Sequence, residues 1–78
     1  MNISYVLIVC DVGAEKSILS ELKSLESVKE VSGLFGGYDI IVKLEAMSEE
    51  EIKDIVVSKI RNLQKIRTTV TLAVKETQ

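Results

Sequence analysis

Residues 3–11, Ile3-Ser4-Tyr5-Val6-Leu7-Ile8-Val9-Cys10-Asp11, form an apolar run rich in valine and isoleucine. A strand covered on one face alternates apolar with polar side chains. Here Tyr5, Leu7 and Val9 point one way and Val6, Ile8 and Cys10 the other, so both faces are apolar. The stretch reads as a central strand buried on both sides. Val12-Gly13 then turns the chain, with Gly13 beside a helix start. From Ala14 to Leu25 the period changes: Ile18, Leu19, Leu22 and Leu25 form one stripe of an amphipathic helix, with Glu15, Lys16, Ser17, Ser20, Glu21, Lys23 and Ser24 opposite.

A second strand is predicted over Val28–Phe35, where Val31, Gly33 and Phe35 alternate with Glu30, Ser32 and Leu34. Gly36-Gly37 marks a tight connection in which positive φ costs little. The third strand, Tyr38–Glu45, sets Ile40, Val42 and Leu44 against Asp39, Ile41 and Lys43. Ser48-Glu49-Glu50-Glu51 is a capping box: Ser48 accepts from the Glu51 amide while the Glu51 carboxylate reaches back. The helix it opens runs to about Leu63, with Ile52, Ile55, Val56, Ile60 and Leu63 facing inward and Arg61 near its end. In the last strand, Ile66–Lys75, Ile66, Thr68, Val70, Leu72 and Val74 alternate with Arg67, Thr69, Thr71 and Ala73; the polar end Glu76-Thr77-Gln78 reads as frayed.

The order β-α-β-β-α-β predicts an α+β, ferredoxin-like domain spanning residues 1–78, with two helices on one face of a four-stranded antiparallel sheet. The other face is then uncovered, yet the first strand is apolar there too. An open apolar patch of this kind marks an interface. Two copies stacked sheet to sheet, as in a dimeric α/β barrel, would bury it, and an obligate homodimer is expected.

Composition narrows function further. At 78 residues and 46% hydrophobic, the chain carries more apolar material than so small a core hides. It has no proline and no histidine, and Cys10 is its one cysteine, so a disulfide framework, a thiolate zinc site and histidine acid–base chemistry are excluded. No cofactor is expected. A net charge of −2 argues against direct DNA binding, and no apolar run approaches the ~20 residues of a membrane span. Met1-Asn2-Ile3-Ser4 has no basic segment of a signal peptide, which makes a cytoplasmic location the expectation.

Two readings fit Gly36-Gly37-Tyr38-Asp39. Two glycines expose backbone amides to a carboxylate, and Asp39 accepts from an ammonium group, which is the minimum chemistry for holding an amino acid's α-groups. The same residues also make a hairpin turn capped by Asp39. Thr69 and Thr71 share one strand face and either donate hydroxyls to a ligand or simply suit a strand. Cys10 reads as a small core residue without a base beside it.

Tyr5-Val6-Leu7-Ile8, Gly13, Val28-x-x-Val31, Gly36-x-Tyr38-Asp39-Ile40, Lys59-Ile60 and Thr69-x-Thr71 together resemble the effector-binding module of the Lrp/AsnC family, the RAM (regulation of amino acid metabolism) module, from about Tyr5 to Val74. The resemblance implies the βαββαβ fold, dimers joined through their sheets, and rings of dimers, commonly octamers. It implies that an amino acid effector binds between dimers, touching Gly36, Gly37, Tyr38 and Asp39 through its α-groups, with Thr69 and Thr71 lining the pocket and Leu34 and Phe35 helping to select the side chain. The sequence departs from the family at Phe35, where threonine is usual, and at Gln64-Lys65-Ile66, where the family often has a Pro-Gly-Val turn. The first strand starts at about residue 3, which leaves no room before it for a DNA-reading helix-turn-helix. The expectation is a stand-alone, non-enzymatic sensor that regulates transcription through a partner such as a full-length Lrp/AsnC regulator. A small dimeric α/β barrel enzyme of monooxygenase or isomerase type, and a ligand-free structural oligomer, are the alternatives.

Overall fold

Alternation along the first strand determines which face the helices cover. In the computed structural model β1 (Asn2–Cys10) turns Ser4, Val6, Ile8 and Cys10 inward, and β3 (Ile40–Ala46) turns Ile40, Val42, Leu44 and Ala46 to the same side. Onto them pack Ile18 and Leu22 of α1 (Glu15–Lys23) and Ile52 of α2 (Glu49–Ile55), followed by Val56 and Ile60 from a π-helical stretch, Val56–Ile60, that continues α2. Burying each of these large aliphatic side chains contributes about 1.5–3 kcal/mol before the entropy of ordering is set against it. With β2 (Val28–Gly33) and β4 (Ile66–Ala73) the chain forms one four-stranded sheet in the order β2-β3-β1-β4, every pairing antiparallel. This is the expected ferredoxin-like βαββαβ fold. The structure describes residues 1–75; the polar end at 76–78, and the fraying expected of it, lie outside the described residues.

β1 is central, but only one of its faces is fully buried within the protomer. Tyr5, Leu7 and Val9 are half-buried on the side away from the helices. The register gives Leu7 apolar neighbours on both sides, Ile41 and Val70, while Tyr5 lies between Lys43 and Leu72 and Val9 lies beside Thr68. Leu72 is about half exposed. Lys43 and Glu30, paired across β3 and β2, give this open face a polar margin.

Several boundaries differ from the sequence reading. β2 ends at Gly33 and β3 begins at Ile40, so Leu34, Phe35, Tyr38 and Asp39 belong to a six-residue loop and not to strands. Only Gly36 of the glycine pair takes a positive φ, at 114°. α1 ends at Lys23, where the Ser24 amide donates to the Glu21 and Leu22 carbonyls, and Leu25 packs beyond it. Ser48 accepts from the Glu51 amide at 3.2 Å as predicted. The reciprocal bond goes one residue earlier, however: the Met47 amide donates to Glu51 Oε2 at 3.3 Å.

The second helix stops at Ile60, short of Leu63, and its last turn is π-helical, with the Arg61 amide donating to the Val56 carbonyl at 2.8 Å. β4 ends at Ala73, before Lys75. Its alternation is broken as well: Val9 pairs with Thr68 but Cys10 pairs with Ile66, so a bulge at Arg67 moves Ile66 to the helix side, where it packs against the core.

Lys65, at the position where the resemblance calls for glycine, has φ 72°. Its carbonyl accepts from the Asp11 amide at 2.8 Å, which ties the entry of β4 to the end of β1. A side chain in the left-handed region costs roughly 1–2 kcal/mol, partly offset in a glycine variant by the greater freedom of its unfolded chain. Lys65→Gly should therefore raise the melting temperature by a few degrees, on the order of 0.5 kcal/mol of stability, in a thermal melt. A drop on that substitution would contradict the strain.

Candidate functional site

The loop between β2 and β3 is anchored at both ends. The Leu34 amide donates to the Asp39 carbonyl and the Asp39 amide donates to the Ile8 carbonyl, each at 2.8 Å. The β1–β3 ladder runs no further than Ile8 opposite Ile40, so the Cys10 amide lies beyond its last pair. Asp39 supplies the missing acceptor: its Oδ2 takes the Cys10 N–H at 2.9 Å. A charge-assisted bond between two part-buried groups 29 residues apart holds the loop to the central strand. Asp39 therefore has a structural task, with its other carboxylate oxygen outside that bond.

Between the anchors, Leu34, Phe35, Gly36 and Gly37 are exposed, while Tyr38 and Asp39 are half-buried. Phe35 is fully solvent-facing, as is Val12 in the β1–α1 turn at the same end of the sheet. Gly36 needs its glycine for the backbone. Gly37 does not: its φ lies outside the left-handed region and a Cβ built on it meets no atom within 4 Å.

Thr69 and Thr71 lie on the helix side of β4, opposite Ile8 and Val6. Thr69 is in the same row as Ile40, two strand spacings away, or about 10 Å. Thr71 lies about 7 Å further along the strand, away from the loop. Within one protomer the predicted site residues thus occupy two places: Leu34 to Asp39 at the sheet end, and the threonines along β4.

Thr71 instead lines a groove of about 380 Å³ between α2 with its π-helical continuation and the β1–β4 edge, together with Ser4, Glu49, Ile52, Lys53, Val56, Val57 and Ala73. Sequence reasoning passed over this groove. The one signal of it in the sequence is Val57, an apolar residue on the outer side of the second helix, and it is more than half exposed.

Cys10 is buried, and burial first, then the neighbouring carboxylates of Asp39, Glu15 and Asp11, push its thiol above the ordinary cysteine value. A thiol held protonated is a poor nucleophile, in keeping with a packing role. Among the described residues no group of three or more His, Cys, Asp or Glu is placed to hold a metal ion, and no helix is long and apolar enough to cross a membrane. The Asp11–Arg67 ion pair, at 3.3 Å, is largely solvent-exposed and adds little stability.

Residues 4–78 match the sequence model of the Lrp/AsnC ligand binding domain. An uncharacterised HTH-type transcriptional regulator of Pyrococcus furiosus is 31% identical over 58 residues, which cover 74% of this chain and 39% of that protein. The chain thus spans about two fifths of that relative's length. The crystal structure of TTHA0845 from Thermus thermophilus is similar at a TM-score of 0.96 and 26% identity, over 100% of this chain and 98% of that one. The transcriptional regulator NMB0573 from Neisseria meningitidis, solved as an L-Met complex, is similar at a TM-score of 0.87 over 96% of this chain and 50% of that one. Its identity is 9%, a likeness of fold alone.

Proposed function

The chain belongs to the Lrp/AsnC ligand-binding domain family, and on that footing we propose that it is a homo-oligomeric sensor which captures an amino acid at contacts between its copies. The observation that carries this reading is Gly37. Neither its backbone nor its surroundings in the protomer explain the missing side chain, and the open space beside it lets a ligand approach the backbone closely. The amides of Gly36, Gly37 and Tyr38 are suited to an effector's α-carboxylate. The carboxylate oxygen of Asp39 left over from the Cys10 bond is suited to its α-ammonium. Phe35 and Leu34 beside them favour an apolar effector side chain. Because Thr69 and Thr71 are about 10 Å or more from this loop in one protomer, they take part through a second copy. The L-Met complex of the Neisseria meningitidis regulator is the precedent for the ligand class.

In this reading the open faces of two sheets stack through Tyr5, Leu7, Val9, Ile41, Val70 and Leu72 to give the homodimer, and dimers assemble further, an octamer being the expected ring. An effector bridging two dimers favours the form that contains the bridge. Output to transcription, in the cytoplasm, passes through a DNA-binding partner such as a full-length regulator of the same family.

The test is a thermal-shift screen of the twenty amino acids. An effector at ten times its Kd stabilises by about 1.4 kcal/mol, a rise of several degrees for a chain this size. A rise for one or a few amino acids is expected; a flat response to all of them would sink the sensor reading.

A further inference from the structure

The groove between α2 and β4 has the makings of a ligand site that owes nothing to the loop. Its volume, about 380 Å³, falls within the roughly 300–1,000 Å³ of small-molecule pockets. Its walls are aliphatic: Ile52, Val56 and Val57 from the helix, Ala73 from the strand. The π-helical turn, a device frequent at functional sites, is what carries Val56 and Val57 along its side.

The polar groups of the groove are few. Ser4 is only 3% exposed, and its hydroxyl makes no side-chain hydrogen bond among the described residues. No fully enclosed side-chain polar atom of those residues lacks a partner, so the Ser4 oxygen keeps a small opening, and the space it borders is the groove. Thr71 adds a second hydroxyl nearby, since Ser4 and Thr71 stand on adjacent strands two residues apart in register. Glu49 and Lys53 face the groove from successive turns of α2, one of each sign, and neither takes part in an ion pair among the described residues.

We propose that this groove binds a free amino acid whose side chain has an aliphatic stem and a hydrogen-bonding tip. The stem lies against Ile52, Val56, Val57 and Ala73, and the tip meets the Ser4 and Thr71 hydroxyls. The α-ammonium faces Glu49 and the α-carboxylate faces Lys53. Opposite charges on the helix wall, hydroxyls on the strands facing it and aliphatic side chains around them fit a zwitterion with such a side chain better than a purely apolar guest, which would leave the Ser4 hydroxyl without a partner. The inference shares the amino acid class with the reading above but places the ligand on different residues. Ser4 and Ile8 are about 13 Å apart along β1, so one amino acid cannot occupy both the groove and the loop of the same copy.

The experiment is backbone-amide NMR of the whole chain titrated separately with L-Gln, L-Met, L-Thr and L-Leu. Saturable shifts at residues 4, 57, 71 and 73 are expected with L-Gln, whose side chain has both stem and tip, and weaker ones with L-Met, L-Thr and L-Leu. Ser4→Ala should weaken that binding about threefold to tenfold, the worth of one hydrogen bond. Ala73→Trp, at an exposed strand position where a large ring fills the groove without disturbing the core, should abolish it. Shifts confined to residues 34–39 would overturn the groove proposal and leave the loop reading standing. Shifts confined to the groove would do the reverse. Unchanged affinity in Ala73→Trp, or no shift with any of the four, would overturn the proposal. So would a fall in assembly mass in Ala73→Trp, which would assign the groove to a neighbouring copy.

Discussion

Leu7→Lys is expected to reduce the assembly to single chains of 8.6 kDa. Leu7 sits at the middle of the open face, between Ile41 on β3 and Val70 on β4, where a stacked sheet would enclose it completely. An ammonium group there would be buried without a partner, at a cost of about 3–5 kcal/mol. That weakens self-association by roughly a hundredfold to several thousandfold, since each 1.4 kcal/mol is a factor of ten. The readout is mass by light scattering, with circular dichroism on the same sample to show that the sheet persists. If the variant does not fold, Leu72→Lys serves instead, because Leu72 is already half exposed in the protomer and its loss leaves the helix-side core untouched. An unchanged mass in a folded variant would mean that copies meet through some other surface.

Asp39 gives the second large effect, and the structure shows why the choice of substitution matters. Asp39→Ala removes the acceptor of the Cys10 amide and strands a part-buried N–H, so about 1.5–3 kcal/mol of stability should be lost with or without effector. For a chain of this length that is a fall in melting temperature of about 10 °C or more. Asp39→Asn keeps an oxygen for the Cys10 amide and discards the charge. It should cost less than half as much stability while weakening binding of an α-ammonium by about tenfold or more. Thermal melts and titrations of both variants separate the two roles. If Asn binds the effector as tightly as the wild type, Asp39 serves the fold alone.

The parts of the fold that were legible in the sequence are those set by short-range periodicity. The alternation of Val6, Ile8 and Cys10, the stripe of Ile18 and Leu22, and the Ser48 cap all lie where the sequence places them. Strand ends were less legible for a physical reason. Alternation carries on smoothly through Leu34-Phe35 and Tyr38-Asp39, whereas the strand stops where cross-strand hydrogen bonds stop, a non-local fact. The π-helical turn was hidden because Ile52, Val56 and Ile60 are spaced as an α-helix would also space them.

The candidate loop stood out through its glycines, but nothing local distinguishes Gly36, which needs a positive φ, from Gly37, which does not. Nor could spacing reveal that the Asp39 carboxylate is engaged by an amide 29 residues away. The groove was invisible for the same reason: Ser4, Val57 and Thr71 come from three separate elements, and only the packed fold brings them to one place.

The central claim is that copies of this chain assemble and that an amino acid bridges them. Its most direct test is light-scattering mass of the wild-type chain, measured without ligand and then with each of the twenty amino acids. The account predicts an even multiple of 8.6 kDa without ligand and a shift toward a larger assembly with one or a few amino acids, which in Asp39→Asn needs about tenfold more ligand or greater. A mass of one chain throughout, or an assembly indifferent to every amino acid, would contradict it.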